Sequence, residues 1–299
     1  MSLYVCIDIG GTSIKHGVAN EQGRLTVTGA IANSIAVKGL EAFLQSLLNI
    51  VQEYQNKYMI EGVAICTAGM VNTKTGCIVR APHYFPGYAG VKLPAFIKEN
   101  TGLPAIVIND VNAVCLGEYW QGAGQKAHSL FCLTFGTGIG GAFMLEGKLW
   151  EGVSYCAGEV GLMHAGENAN WEDLASTAGL IRNVGMAKGI APQNINGRQV
   201  FAWAQAGDTE AINCINKMVN RWAVGIANIC YVVNPQVVIL GGGVMAQFDY
   251  LLPRLKKELA SILLQNIYRS TSFVRAQMGN GAGMVGALYY FLQEKHVSA

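Results

Sequence analysis

An α/β fold in two domains is what this sequence predicts, and three observations predict it. Strand-like and helix-like stretches alternate along the chain, the pattern of a sheet with parallel strands covered by helices. An apolar strand, a glycine turn and a second apolar strand open the chain (LYVCIDIGGTSIKHGVAN, Leu3 to Asn20), and the same architecture returns in LFCLTFGTGIGGAFMLEGK at 130–148. At 299 residues the chain is also long for one hydrophobic core.

The elements follow in order. After the first hairpin, Leu40 to Tyr58 places Phe43, Leu47, Leu48, Val51 and Tyr54 on one face at helical spacing. GVAICTA and AIVIND are short runs of continuous apolar residues, as in parallel strands buried on both faces. VNAVCLGEYW, between Asp110 and the following loop, reads as a short helix opening straight after the second of these strands. Beyond the central hairpin, Trp171 to Asn183 and Glu210 to Val233 read as helices, QVVIL as a buried strand running into three glycines, and GMVGALYYFLQEK as a closing helix.

Composition narrows the function. Hydrophobic residues make up 51% of the chain and charged residues 13%, so much of it is interior, and seven prolines without a low-complexity tract argue against disorder. A formal net charge of +2 and the lack of a Lys/Arg cluster give no footprint for nucleic acid. The eight cysteines form no CxxC pair and several lie in strand-like runs, which points to reduced core thiols in the cytoplasm rather than disulfides or zinc ligands. Trp222 to Phe248 holds no Lys, Arg, Asp or Glu, yet Asn234-Pro235 and the glycines at 241–243 interrupt it, so a buried helix, turn and strand are expected in place of a membrane span.

Three glycine stretches and four acids could carry chemistry. Asp8-Ile9-Gly10-Gly11-Thr12 reads either as a hairpin turn or as a loop whose backbone N–H groups face an anion. GTGIGG at 136–141 satisfies the dinucleotide pattern GxGxxG, but a strand follows where that pattern needs a helix, so a second phosphate loop inside a hairpin fits better. Gly241-Gly242-Gly243 follows a strand, where bare backbone lets a flat ring approach closely or simply turns the chain. No GxxxxGK[ST] motif occurs. Asn109-Asp110 ends a buried strand, the place where open α/β sheets put ligands, although Asp110 also suits a helix cap. Glu159 stands between glycines, and Glu172 falls at a helix start, where a glutamate is ordinary.

Taken together, DIGGT, AGMVNTKTG, NDVNAVCLGE, GTGIGG, GEVG, EDLAS, LGGGV and GAGMVGAL occur in one order over nearly the whole chain, and this set resembles the ROK family of sugar kinases, in the superfamily that includes actin. The resemblance implies two actin-like (ribonuclease H-like) domains, residues 1–118 with 286–299 and residues 119–285, with a ligand cleft between them. It implies ATP as phosphoryl donor, with Asp8 facing Mg²⁺ and the phosphates. Gly10, Gly11 and Thr12 would hold the phosphate tail from one domain and Gly136, Thr137, Gly138 and Gly140 from the other. Lys15 would lie within reach of phosphate, and Gly241, Gly242 and Gly243 under the base. Asp110 matches the general base, Asn109 and Gly69 sugar contacts, and Glu159 and Glu172 the acids that grip sugar hydroxyls. A cytoplasmic homodimer with a small sugar substrate is implied as well.

Two departures bear on the substrate. The family usually carries His after the Gly-Glu-x-Gly run and a zinc-binding cysteine cluster, whereas this chain has Leu162 there and no such cluster; His164 stands two residues on as a candidate sugar contact. No zinc is expected, and the zinc-less form resembles the β-glucoside kinases, which phosphorylate a 6-hydroxyl. The alternatives are a kinase of the N-acetylmannosamine or glucose type, and a sugar-sensing regulator without catalysis. The regulators of the family carry a helix-turn-helix domain ahead of the first strand, and here that strand begins at Leu3, which disfavours them.

Overall fold

The computed structural model describes residues 2–166 and 168–297; Glu167 and, at the outer bounds of the first expected domain, Met1, Ser298 and Ala299 lie outside the described residues. The chain forms two compact units. One comprises residues 1–126, 148–157 and 277–299, the other residues 127–147 and 158–276.

In the first unit, β1 (Leu3–Ile9), β2 (Ser13–Asn20) and β3 (Leu25–Ala32) form an antiparallel meander. β4 (Ile60–Thr67) pairs parallel with β1, and β5 (Ala105–Asn109) parallel with β4, giving the order β3-β2-β1-β4-β5. The parallel strands read as unbroken apolar runs because helices cover them. Val5, Ile7 and Ile9 of β1 belong to one core with Phe43, Leu47 and Val51 of α1 (Ile35–Gln55). Each large side chain so buried contributes about 1.5–3 kcal/mol. Gly39 has non-helical angles inside α1, so the regular turns begin at Leu40, where the apolar spacing places them.

α2 (Leu93–Thr101) leads into β5, α3 (Asp110–Gln121) leaves that strand directly, and the closing helix (Ala282–Val297) lies against α3. Close approach of those two backbones explains Gly286 of the closing motif and Gly117 of α3. A Cβ on Gly286 would strike the Ala113 carbonyl, and one on Gly117 would come within 2.5 Å of the Ala282 oxygen. Where they meet the loop at 277–278, the wholly buried Glu118 carboxylate accepts from the backbone N–H groups of Ala123, Gln277 and Met278, each at 2.8 Å.

The second unit repeats the plan. β6 (Ser129–Phe135) and β7 (Ile139–Leu145) are an antiparallel hairpin, and β8 (Val237–Gly241) and β9 (Ser272–Arg275) add in parallel beside β6. The strand after GTGIGG is therefore real, and the dinucleotide reading fails for want of its helix. After α6 (Gly197–Gln205), α7 (Thr209–Val233), capped by the Asp208 side chain on the Ala211 N–H (2.9 Å), runs through this unit's core to a left-handed Asn234 before Pro235. Among the described residues no helix is long and apolar enough to cross a membrane.

One predicted helix is two. Trp171 to Asn183 breaks at Ser176 into α4 (Trp171–Ala175) and α5 (Thr177–Lys188). Ser176 is extended (φ −76°, ψ 169°), and its hydroxyl accepts from the Gly179 N–H at 3.2 Å. Helical periodicity does not register such a break, because a serine N-cap leaves the apolar spacing on either side intact.

Candidate active site

In the first unit the expected site residues gather at the carboxyl ends of adjacent strands. The register aligns Asp8 with Cys66, and Thr67 with Asn109. Asp8 is only 15% exposed and pairs with Lys15 across the hairpin at 2.9 Å. The loop between them is closed by the Gly10 N–H on Ser13 O (3.0 Å) and braced from outside by Asn33, whose amide donates to Gly10 O (2.8 Å) and whose N–H donates to Thr12 O (3.0 Å). Asn33 belongs to no motif, so only the fold reveals it as the brace. The Tyr84 ring lies over Gly11, 3.2 Å from where a Cβ would stand.

Asn109 is the joint at the end of β5. Its side-chain oxygen caps α3 by accepting from the N–H groups of Val111 (2.9 Å) and Asn112 (3.0 Å). Its amide nitrogen donates to Gly69 O and to Asp110 Oδ1, both at 3.0 Å. Asp110 Oδ1 also accepts from the Val111 N–H at 2.9 Å, so two donors restrain the carboxylate. Gly69 adopts φ +109°, with Arg80 O 2.6 Å from the position of a Cβ, so only glycine presents its carbonyl here. Between the two acids, the Cys66 thiol is pushed well up by burial and then by the charges of Asp8 and Asp110. That thiol is inert as a nucleophile.

In the second unit the two glycine loops stand at the same end of neighbouring parallel strands. Gly136 follows β6 and Gly241 ends β8, with Thr134 opposite Gly241 in register. Gly140 pairs with Thr134 in the hairpin, and the Gly136 N–H closes the turn on Gly138 O at 2.9 Å. Thr137 sits at the tip of that turn. Gly242 takes φ +92° against the Phe135 backbone, whose nitrogen would lie 2.6 Å from a Cβ. Beside Gly243 opens a cavity of about 610 Å³ lined by Thr177, Asn196, Arg198, Phe201, Gly243 and Gln247. Apart from Gly243, sequence reasoning missed this lining, because its residues come from three segments far apart in sequence, around 177, 196–201 and 243–247.

Glu172 opens α4 and accepts from the Ile139 N–H through Oε2 at 3.2 Å, which ties it to the Gly136–Gly138 loop. Glu159 precedes a single turn, Val160–Leu162, closed by the Leu162 N–H on its carbonyl at 3.1 Å. His164 lies in a two-strand ribbon opposite Asn170 and is exposed.

Two sheets of one topology, each with a glycine-turned hairpin leading into parallel strands, define an actin-like α/β protein, and the loops at their carboxyl ends suit a phosphorylated ligand. The ROK family model matches residues 4–294, and the chain belongs to the ROK family. It is 42% identical to an uncharacterized protein of Clostridium perfringens over 97% of this chain and 98% of that protein. It is 31% identical to a beta-glucoside kinase of Listeria innocua, covering 97% of both chains. Among solved structures it resembles a ROK family glucokinase from Streptomyces griseus in complex with glucose and AMPPNP, with a TM-score of 0.82 and 28% identity, over 97% of this chain and 99% of that one.

Proposed function

We propose that the chain is an ATP-dependent carbohydrate kinase, which transfers the γ-phosphate to the 6-hydroxyl of a hexose or β-glucoside in the cytoplasm. The observation that carries the reading is the Asn109–Asp110 joint: a carboxylate at a strand end, held in place by a side chain that also grips Gly69 O. A sugar hydroxyl is a weak nucleophile near neutral pH, so Asp110 takes its proton as the bond to phosphorus forms. Gly69, Asn109, Glu159, Glu172 and His164 would orient the sugar; carboxylates suit this because they accept from hydroxyl pairs.

The remaining work is alignment and charge neutralisation. Gly10, Gly11 and Thr12, with Gly136, Thr137, Gly138 and Gly140, offer backbone N–H groups to the phosphates, and Lys15 a cation. The cavity beside Gly241, Gly242 and Gly243 is large enough for a purine base. Mg²⁺ is bound through one or two carboxylates plus substrate phosphates, which fits Asp8 at its strand end; when bound it neutralises phosphate charge. Eight cysteines, most of them buried and none in a disulfide among the described residues, fit a reducing compartment.

The β-glucoside preference draws on Leu162 in place of the family's His and on the Listeria innocua relative. A glucose-type substrate is the second reading, favoured by the likeness to the glucose-bound structure. A coupled ADP-release assay with ATP against monosaccharides, amino sugars and β-glucosides decides. The expected result is turnover with 6-hydroxyl sugars, greatest for β-glucosides; no ADP release with any sugar overturns the kinase reading.

A further inference from the structure

The short helix α4 is mounted more firmly than its five residues require. The Trp171 indole N–H donates to Arg221 O (2.9 Å), the Trp222 indole to Ala175 O (2.6 Å), and the Arg221 guanidinium to Leu174 O (2.8 Å). Gly225 of α7 leaves room for the Trp171 ring, which a Cβ there would strike. α4 is therefore fixed to the long core helix along its whole length.

From this mount the element reaches in two directions. At its start, the Trp171 N–H donates to Met163 O at 2.7 Å, which ties it to the turn that follows Glu159. On the other side both ends of the glycine loop are held: Glu172 Oε2 of α4 takes the Ile139 N–H at 3.2 Å, and the Thr177 N–H at the start of α5, freed by the break at Ser176, donates to Gly136 O at 2.9 Å. The fit around Glu172 Oε2 is close, 2.5 Å from a Cβ placed on Gly138 and 3.1 Å from one on Gly161. The same carboxylate thus packs on the phosphate loop and on the Val160–Leu162 turn.

We infer that Glu172 is a positioning residue for the phosphate loop, and that through it sugar binding and nucleotide binding are coupled. The inference rests on the kinase reading, in which Glu172 also meets sugar hydroxyls. A sugar that fixes the carboxylate fixes the Ile139 N–H with it, so the loop N–H groups are already aligned when the phosphates arrive. Coupling of this kind is reciprocal, so the nucleotide raises sugar affinity by the same factor.

Titration calorimetry with AMPPNP and Mg²⁺ tests this, first without sugar and then with the sugar of highest kcat/KM from the panel. Without sugar, Glu172→Ala is expected to raise the AMPPNP Kd about 10-fold, the worth of a hydrogen bond to a charged acceptor. Glu172→Gln keeps an acceptor for the Ile139 N–H and should stay within about 3-fold of the unsubstituted chain. Glu172→Asp, which draws the oxygen back by one methylene, should behave like Ala and stands in for it if Ala does not fold. With sugar, the unsubstituted chain should gain nucleotide affinity by about 5-fold or more, and the Ala or Asp variant should gain none. A role confined to the sugar would leave sugar-free AMPPNP binding unchanged in both, and that result overturns the inference. Failure of the kinase reading looks different: the unsubstituted chain would then turn over no sugar.

Discussion

Replacing Asn109 tests the joint that links β5, α3 and the Gly69 turn. Its side chain makes four hydrogen bonds at 2.9–3.0 Å: two cap α3, one holds Gly69 O and one holds Asp110 Oδ1. Loss of an N-cap costs about 1 kcal/mol. Stranding the half-buried Gly69 carbonyl costs about 1 kcal/mol more. Asn109→Ala should therefore destabilise the first unit by about 2 kcal/mol. Asn109→Ser restores the cap without reaching Gly69 and should recover about half. Urea titration supplies the free energies, and hydrogen exchange of the peptide spanning 107–121 localises the change to α3. Equal stability of all three proteins, or a serine variant no better than alanine, would refute the reasoning.

Other consequences follow from the same geometry. Asp110→Asn should lower kcat by about 10²–10⁴-fold, the usual worth of a general base, while calorimetry still detects sugar binding; near-normal turnover would remove Asp110 from that role. Burial raises the Glu151 carboxyl above its ordinary value, helped by Glu294 and opposed by the Thr73 hydroxyl, and its Oε1 has no hydrogen-bond partner. The native state then keeps this proton to higher pH than the unfolded chain, so its contribution to stability grows as pH falls from neutral through the raised value and levels off below the ordinary one. Glu151→Gln should accordingly raise the urea midpoint at pH 7, with the gap to the unsubstituted chain closing toward pH 4; a constant gap would contradict this. Elemental analysis of the purified protein should find no stoichiometric zinc, and one bound equivalent would refute the argument from the missing cysteine cluster.

The elements that sequence reasoning placed well are those whose cause is local. β1 and β2 around Gly10-Gly11, β6 and β7 around GTGIGG, α7 from about Glu210 to Asn234-Pro235, and α3 opening at Asp110 all follow from apolar spacing and turn residues. Periodicity alone joins α4 and α5, because a serine break leaves the apolar spacing unchanged.

The order of the glycine motifs, the position of Asp110 at a strand end and the family to which the chain belongs were all determined by the sequence itself, since each depends on residues that are neighbours in the chain. Only the tertiary structure decided that Asn33 braces the first loop, that Asn109 joins Gly69 to Asp110, that Thr177, Asn196 and Arg198 surround one cavity, and that Glu172 grips the main chain of a loop more than thirty residues away in sequence. Those partners meet because parallel strands bring distant segments side by side at one end of a sheet, and no local pattern of residues records which segments will be adjacent.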